Sequence, residues 1–187
     1  MTKVDILLQN WRIRKAGRFL AQTARVLDIG CSDGALFHRL QYLKNGTGID
    51  PDLKEQVHLF NADLYPGYFP ADLPAGDLFD AITMLAVMEH IPPDEQQKLV
   101  RDCYQWLKPS GLVILTLPSP KVDYILVLLR SIRLVHAATL HQHFGFDAHE
   151  ALTIFGSAGF SLVHASKFQL GLNNLFVFRK PGRATQL

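Results

Sequence analysis

The chain has 187 residues, of which 48% are apolar and 19% are charged, and 19 Lys and Arg residues against 17 Asp and Glu residues leave a net charge of +2. This composition predicts one globular domain and excludes a disordered chain, which would hold fewer apolar residues and more uncompensated charge. It also argues against a nucleic-acid binder, because such proteins carry a clear excess of Lys and Arg. The two cysteines form no CxxC pair or Cys/His cluster, so we expect neither a disulfide framework nor a metal site.

Two stretches bear on the expected location of the protein. Acidic and basic residues interrupt the first twenty positions, which therefore lack the apolar core of a signal peptide. Val122–Leu140 is the most apolar stretch, but Arg130 and Arg133 lie at its centre, which favours an amphipathic helix over a membrane span. We expect a cytoplasmic protein without a membrane span, and the two arginines leave a peripheral contact with lipid head groups open.

Helix-like and strand-like segments alternate along the chain, without an internal repeat or a low-complexity linker. Helices are predicted over about Val4–Gln22, Ala35–Leu43, Pro93–Leu107 and Ala148–Ala158. Strands are predicted in RVLDIG, GTGID, VHLFNADL, FDAITMLAVM, GLVILTLP, FSLVHASKF and NLFVFRK. The last two could form an antiparallel hairpin at a sheet edge. This alternation predicts an α/β fold with a mainly parallel sheet.

The sharpest motif is VLDIGCSDG, in which an apolar strand ends at Asp28 and runs at once into a glycine turn from Gly30 to Gly34. Glycine lets backbone N–H groups approach a ligand closely. Asp50 closes the next strand, where its carboxylate can accept both hydroxyl protons of a ribose. The two glycines are four positions apart, which disfavours the GxGxxG turn of a nicotinamide-dependent oxidoreductase, and Asp28 would oppose a phosphate but suit an amine-bearing ligand.

With GTGID, NADL, FDAITMLAVMEHI and LKPSGLVILTLPSP following in order, the sequence resembles the class I S-adenosylmethionine-dependent methyltransferases that act on small molecules. The resemblance covers about Arg25 to Lys180. It implies a Rossmann-like, doubly wound sheet of seven strands, mostly parallel with an antiparallel last strand and helices on both faces. It also implies a single methyltransferase domain over residues 1–187, with a helical insert at about 119–144 that forms a roof over the methyl acceptor.

The resemblance also implies the residues around the cofactor S-adenosylmethionine and its product S-adenosylhomocysteine. Asp28 and the glycine turn would face the methionine part, Asp50 would hold the ribose, and other residues would flank the adenine or complete the wall. The predicted cofactor residues are Asp28, Gly30, Cys31, Ser32, Gly34, Asp50, Asp63, Leu64, Leu85 and Ala86. Ser32 stands where the family has its middle glycine, and a serine fits there at little cost if its φ stays negative. We assign no chemistry to the Cys31 thiol, because no basic partner is near it in sequence.

Three histidines are candidate catalytic groups. His90 follows Glu89 at the end of the fourth predicted strand, where it could act near the methyl donor or merely cap the following turn. His141 and His143 lie in a loop-like stretch at the end of the insert, as a general base or as plain helix caps. Their HxH spacing lacks a nearby acid or third ligand, so we predict no metal site.

These patterns predict methyl transfer from S-adenosylmethionine to a small, partly apolar acceptor, whose reacting atom the sequence does not reveal. The alternative is a binding or scaffold protein that keeps the fold without turnover. The expected partner is the small-molecule acceptor and not a nucleic acid, and the oligomeric state stays open.

Overall fold

The computed structural model describes residues 3–119 and 148–182. Its α-helices are α1 (Lys3–Ala16), α2 (Ala35–Arg39), α3 (Pro93–Trp106) and α4 (Ala148–Ser157), and short 3₁₀ turns span Gly17–Phe19, Met88–His90 and Gln169–Gly171. Its strands are β1 (Arg25–Ile29), β2 (Asn45–Asp50), β3 (Val57–His58), β4 (Ala62–Pro66), β5 (Phe79–Leu85), β6 (Leu107–Pro118), β7 (Ser161–Phe168) and β8 (Asn173–Arg179).

The strands form one sheet in the order β3-β4-β2-β1-β5-β6-β8-β7. The five strands from β4 to β6 in this order run parallel, while β8 lies antiparallel between β6 and β7. The predicted α/β, Rossmann-like class is confirmed, including the antiparallel last strand and the hairpin that it forms with the edge strand β7. The described part of the sheet has eight strands instead of seven, because the short β3 adds an antiparallel edge next to β4.

Helices cover both faces of the sheet, as predicted. Alternate residues of each central strand point to opposite faces, so Leu27 of β1 packs in the cluster that α3 and α4 cover, whereas its neighbour Val26 packs in the cluster that α1 and α2 cover. Both residues are fully buried. The central strands therefore read as continuous apolar runs, as expected for a parallel sheet buried on two sides.

The predicted third strand, VHLFNADL, is wrong as a single strand. The chain reverses within it, since the Leu59 N–H donates to the carbonyl oxygen of Ala62 at 2.8 Å. Asn61 turns inward at the reversal, where its side-chain amide nitrogen donates to the Phe37 carbonyl oxygen at 3.1 Å and its backbone carbonyl oxygen accepts the Gly46 N–H. Alternation of apolar and polar residues does not distinguish such a tight hairpin from one strand.

Three predicted helix ends also differ from the structure. The first helix ends at Ala16, before a 3₁₀ turn, and α2 ends at Arg39 instead of Leu43. The segment after Trp106, predicted to close a helix, instead begins β6. Among residues 3–119 and 148–182 no helix is long and apolar enough to cross a bilayer.

Candidate active site

The carboxyl ends of four parallel strands meet at one edge of the sheet and carry the candidate site. Gly30 and Cys31, directly after β1, donate their N–H groups to the Ile49 carbonyl oxygen of β2 at 2.9 and 3.3 Å. On the other side of β1, Ala86 follows β5 and donates its N–H to the Thr116 carbonyl oxygen of β6 at 3.1 Å. Ligands of open parallel sheets bind at this edge.

Asp50 joins the end of β2 to the glycine turn. Its side chain is buried, with Oδ2 accepting the Ser32 N–H at 2.8 Å and Oδ1 accepting the Asp52 N–H at 2.9 Å. A carboxylate oxygen has two lone pairs, so each oxygen can accept one more hydrogen bond. Asp50 can therefore order the turn and still bind a pair of hydroxyl groups.

Three residues of the turn have left-handed backbone conformations. Gly30 and Gly34 have φ angles of 75° and 78°, and Ser32 has a φ angle of 49°. The condition under which a serine would fit at little cost, a negative φ, is therefore not met at Ser32, and its N–H donates to Asp50 in this left-handed conformation. A Cβ atom at Gly30 would lie only 2.5 Å from Cγ2 of Val87. Glycine at this position therefore also leaves the space that Val87, in the loop after β5, occupies.

Two predicted cofactor residues of the turn face the core. A Cβ atom at Gly34 would lie 2.9 Å from Cδ1 of both Leu59 and Leu64, and the Cys31 sulfur occupies the space above Gly48, 2.7 Å from where a Cβ would stand. Burial raises the pKa of the Cys31 thiol, so it stays protonated. Any ligand contact of these two residues therefore has to come from their backbone atoms.

Asp63 and Leu64 do not reach the edge. In the pairing of β4 with β2, Pro66 stands opposite Asp50, so Asp63 lies three residues, about 10 Å, below it. The Asp63 carboxylate is 2.7 Å from Nδ1 of His58, and the Leu64 side chain is fully buried. The structure brings the predicted residues of β1, β2 and β5 together, but not these two.

Asp28 is a buried acid beneath the turn. Its side chain is 5% exposed, and the Thr83 hydroxyl donates to its Oδ1 at 2.6 Å. Burial raises the pKa of Asp28, the Thr83 hydrogen bond opposes this rise and the Asp50 charge adds to it, and together they raise the pKa to about 7. Near neutral pH this group therefore changes charge readily, and a cation bound beside it would keep it ionised.

Glu89 is a second buried acid at this edge. Burial raises the pKa of Glu89 to about 7, while the nearby Arg12 guanidinium of α1 lowers it. Burial also lowers the pKa of Arg12, against the charges of Glu89 and Asp5. Within the described residues, neither Oε2 of Glu89 nor Nε of Arg12 has a hydrogen-bond partner. Both atoms can therefore still bind ligand groups.

His90 is the one candidate catalytic histidine among the described residues, and it is less buried than its neighbour Glu89. His90 is exposed, whereas Glu89 beside it is 3% exposed. His141, His143 and the predicted insert, apart from Ser119, lie outside the described residues, so their roles stay predictions. Sequence reasoning missed Arg12, because no motif marks it, and Thr83, although a lone polar residue within an apolar strand was a usable signal.

Comparison with known proteins supplies the family. The model of a family described as a methyltransferase domain matches residues 7–165, which is most of the chain. The chain belongs to this methyltransferase domain family. The match includes the glycine turn, Asp50 and the Met88–His90 turn, which together line the carboxyl edge.

Relatives of this methyltransferase domain are named for methyl transfer. A ubiquinone biosynthesis O-methyltransferase of Xanthomonas campestris pv. campestris (strain B100) is 31% identical over 113 residues, which are 54% of this chain and 46% of that protein. The chain thus spans about half the length of the curated relatives that it matches.

Solved structures share the fold of the domain at low identity. The magnesium protoporphyrin IX methyltransferase of Synechocystis PCC 6803, with bound S-adenosylhomocysteine, has a TM-score of 0.70 at 16% identity, covering 96% of this chain and 88% of that one. A Burkholderia thailandensis 1,6-didemethyltoxoflavin-N1-methyltransferase, bound to 1,6-didemethyltoxoflavin and S-adenosylhomocysteine, has a TM-score of 0.66 at 17% identity, covering 95% and 81%. At these identities the likeness shows a common fold.

Proposed function

We propose that this methyltransferase domain binds S-adenosylmethionine at the carboxyl edge of its sheet and transfers the methyl group to a small, partly apolar acceptor. The observation that carries the proposal is Asp50, whose Oδ2 accepts the Ser32 N–H of the turn, whose Oδ1 accepts the Asp52 N–H, and which retains a lone pair on each oxygen. Such a carboxylate matches the two hydroxyl groups of a ribose. Membership of the methyltransferase domain family supports the same conclusion.

The charged groups at the edge fit the amino-acid end of the cofactor. Asp28, buried beneath the turn, would pair with the α-ammonium group, which would keep its carboxylate ionised. The buried Nε–H of Arg12, without a partner among the described residues, is a donor for the α-carboxylate. The residues present therefore fit S-adenosylmethionine at its ribose and at its amino-acid end.

Bound S-adenosylmethionine supplies an activated methyl group on a positively charged sulfur. The protein has mainly to orient the acceptor in line with that methyl group and to exclude water, so no catalytic triad is required. Names of relatives suggest an oxygen acceptor, since the curated matches are O-methyltransferases of ubiquinone biosynthesis, although one structural neighbour is named for methylation of a nitrogen.

Calorimetric titration with S-adenosylhomocysteine tests the cofactor site. Asp50→Asn should weaken binding at least about 100-fold, because two charge-assisted hydrogen bonds contribute about 1.5–3 kcal/mol each. Asp52→Asn is the matched control, since it removes the same charge two residues away at an exposed position. Equal affinity of the folded Asp50→Asn variant and the wild type would disprove the ribose assignment.

A binding protein without turnover is the alternative, and the same protein preparation tests it. Mass spectrometry would follow the conversion of S-adenosylmethionine to S-adenosylhomocysteine in the presence of hydroxylated and amine-bearing aromatic compounds. Tight cofactor binding without any conversion would favour the alternative.

A further inference from the structure

Two fully or nearly fully buried polar side chains on β6 and β8 lie beside the proposed cofactor site. Thr116 of β6 is fully buried, and its hydroxyl oxygen has no hydrogen-bond partner among the described residues. Asn173 at the start of β8 is 4% exposed, and its Oδ1 is also without a partner there. A buried polar atom without a hydrogen-bond partner destabilises a fold, so an apolar residue would suit either position better if the protein core were its only surrounding.

The orientation of the Asn173 amide follows from its neighbours. The Gln169 amide nitrogen donates to the Leu8 carbonyl oxygen of α1 at 3.0 Å, so the Gln169 side-chain oxygen is left as an acceptor. Asn173 donates its amide nitrogen to that oxygen. The Asn173 carbonyl oxygen is therefore the free end, and it requires a hydrogen-bond donor.

Thr116 and Asn173 are neighbours across β6 and β8, and Glu89 follows β5, the strand that pairs with β6 on its other side. Thr116 pairs with Leu175 of β8, and Asn173 stands two residues before Leu175 on the same face, which puts the two side chains about 7–8 Å apart. Glu89 belongs to the Met88–His90 turn, three residues after Ala86, whose N–H donates to the Thr116 carbonyl oxygen.

Helix α1 covers both ends of this group. Arg12 lies near Glu89. Leu8, whose carbonyl oxygen accepts from Gln169, stands four residues, about 6 Å, earlier on the same side of α1.

The three unpaired oxygens define the chemistry of a ligand. The Asn173 oxygen and the ionised Glu89 carboxylate accept hydrogen bonds, whereas the Thr116 hydroxyl and a protonated Glu89 can donate or accept. An anionic group would be repelled by Glu89, and the nearby Arg12 disfavours a cationic one. A neutral hydroxyl group, which donates one hydrogen bond and accepts others, meets these requirements.

We propose that Glu89, Thr116 and Asn173 bind the polar end of the methyl acceptor, and that this acceptor is a neutral hydroxyl compound with an apolar body. The proposal rests on the proposed function, since it takes the adjoining edge as the methyl-donor site. The three residues act here as binding and positioning groups for the acceptor hydroxyl.

The test compares 2-naphthol with 2-methoxynaphthalene, which share an apolar body and differ in the hydroxyl proton. Affinities for both compounds are measured by calorimetry, with and without saturating S-adenosylhomocysteine, so that no turnover is needed. The wild type should prefer 2-naphthol about tenfold or more, the effect of one or two hydrogen bonds. If the buried oxygens only bind water, the two compounds will bind equally, and the proposal is overturned.

Variants separate this site from the cofactor site. Thr116→Val and Glu89→Gln should each lower the preference for 2-naphthol about three- to tenfold, while Thr116→Val leaves the affinity for S-adenosylhomocysteine unchanged. Thr47→Val, the same change on the central strand β2, is the control and should keep the preference. An unchanged preference in both site variants would also overturn the proposal. Loss of S-adenosylhomocysteine binding in the wild type would count against the proposed function alone, because the preference is also measured without it.

Discussion

Replacing Asp28 by asparagine should stabilise the protein without ligand, and increasingly so at higher pH. Burial raises the pKa of Asp28 from 3.8 to about 7, so the folded protein binds more protons than the unfolded chain between these values. Stability therefore falls as the pH rises from the lower to the higher pKa, and the cost is complete above about pH 7. Asp28→Asn removes the ionisation and keeps an oxygen that can accept from Thr83.

The size of the effect follows from the two pKa values. At about 1.4 kcal/mol for each pH unit between them, ionisation of Asp28 costs the folded protein about 4 kcal/mol. At about pH 5 roughly a third of this cost is present, so the advantage of Asp28→Asn should grow by about 3 kcal/mol between about pH 5 and pH 8.

Urea unfolding of wild type and Asp28→Asn at several pH values measures this difference. Other titrating groups contribute equally to both proteins and cancel, and Asp52→Asn controls for the loss of one charge. In calorimetry the same Asp28→Asn variant should bind S-adenosylhomocysteine more weakly, because the partner of the ammonium group is lost. A stability difference that stays constant between about pH 5 and pH 8 would refute the reasoning about the buried acid.

Three other substitutions near the turn have defined outcomes in thermal unfolding and calorimetry. Gly30→Ala should lower the free energy of unfolding by about 1–3 kcal/mol, because Gly30 has a φ of 75° and an added Cβ would contact Val87. Adding Val87→Ala should recover part of this loss, and the absence of any recovery would contradict the contact. Ser32→Gly should raise stability by up to about 1 kcal/mol and keep S-adenosylhomocysteine binding, since it removes left-handed strain and keeps the backbone N–H; a clear loss of stability would argue against the strain. Thr83→Val should raise the pKa of Asp28 further, because it removes a hydrogen bond to the charged form of the carboxyl group. A titration of this carboxyl group followed by NMR measures the change, and a lower pKa in the variant would contradict the prediction.

The order of strands and helices, the glycine turn and the acid after β2 were predictable from the sequence. Each of these features is local: a strand that is buried on both faces has an apolar run, and a turn that needs left-handed backbone has glycine. Asp50 could be recognised because it directly ends a strand, and the topology of parallel sheets then brings it to the edge where β1 also ends.

Local sequence patterns did not predict the structure where one spacing of polar and apolar residues fits both a single strand and a tight hairpin. VHLFNADL alternates like one strand, and only the inward turn of Asn61 shows that it forms β3 and β4. The same reversal places Asp63 about 10 Å below the edge, where it contacts His58 instead of a ligand site.

Only the tertiary structure decided which distant residues share the edge and what charge they carry there. Arg12 approaches Glu89 because α1 packs over β5 and β6, and Thr116 approaches Asn173 because β6 pairs with β8. No sequence motif records either of these contacts. The pKa of Asp28 depends on how much protein surrounds it, since the cost of a charge is set by the loss of water around it. Local sequence patterns determine the order of strands and helices along the chain, whereas burial and electrostatics arise from contacts between segments that are far apart in the chain.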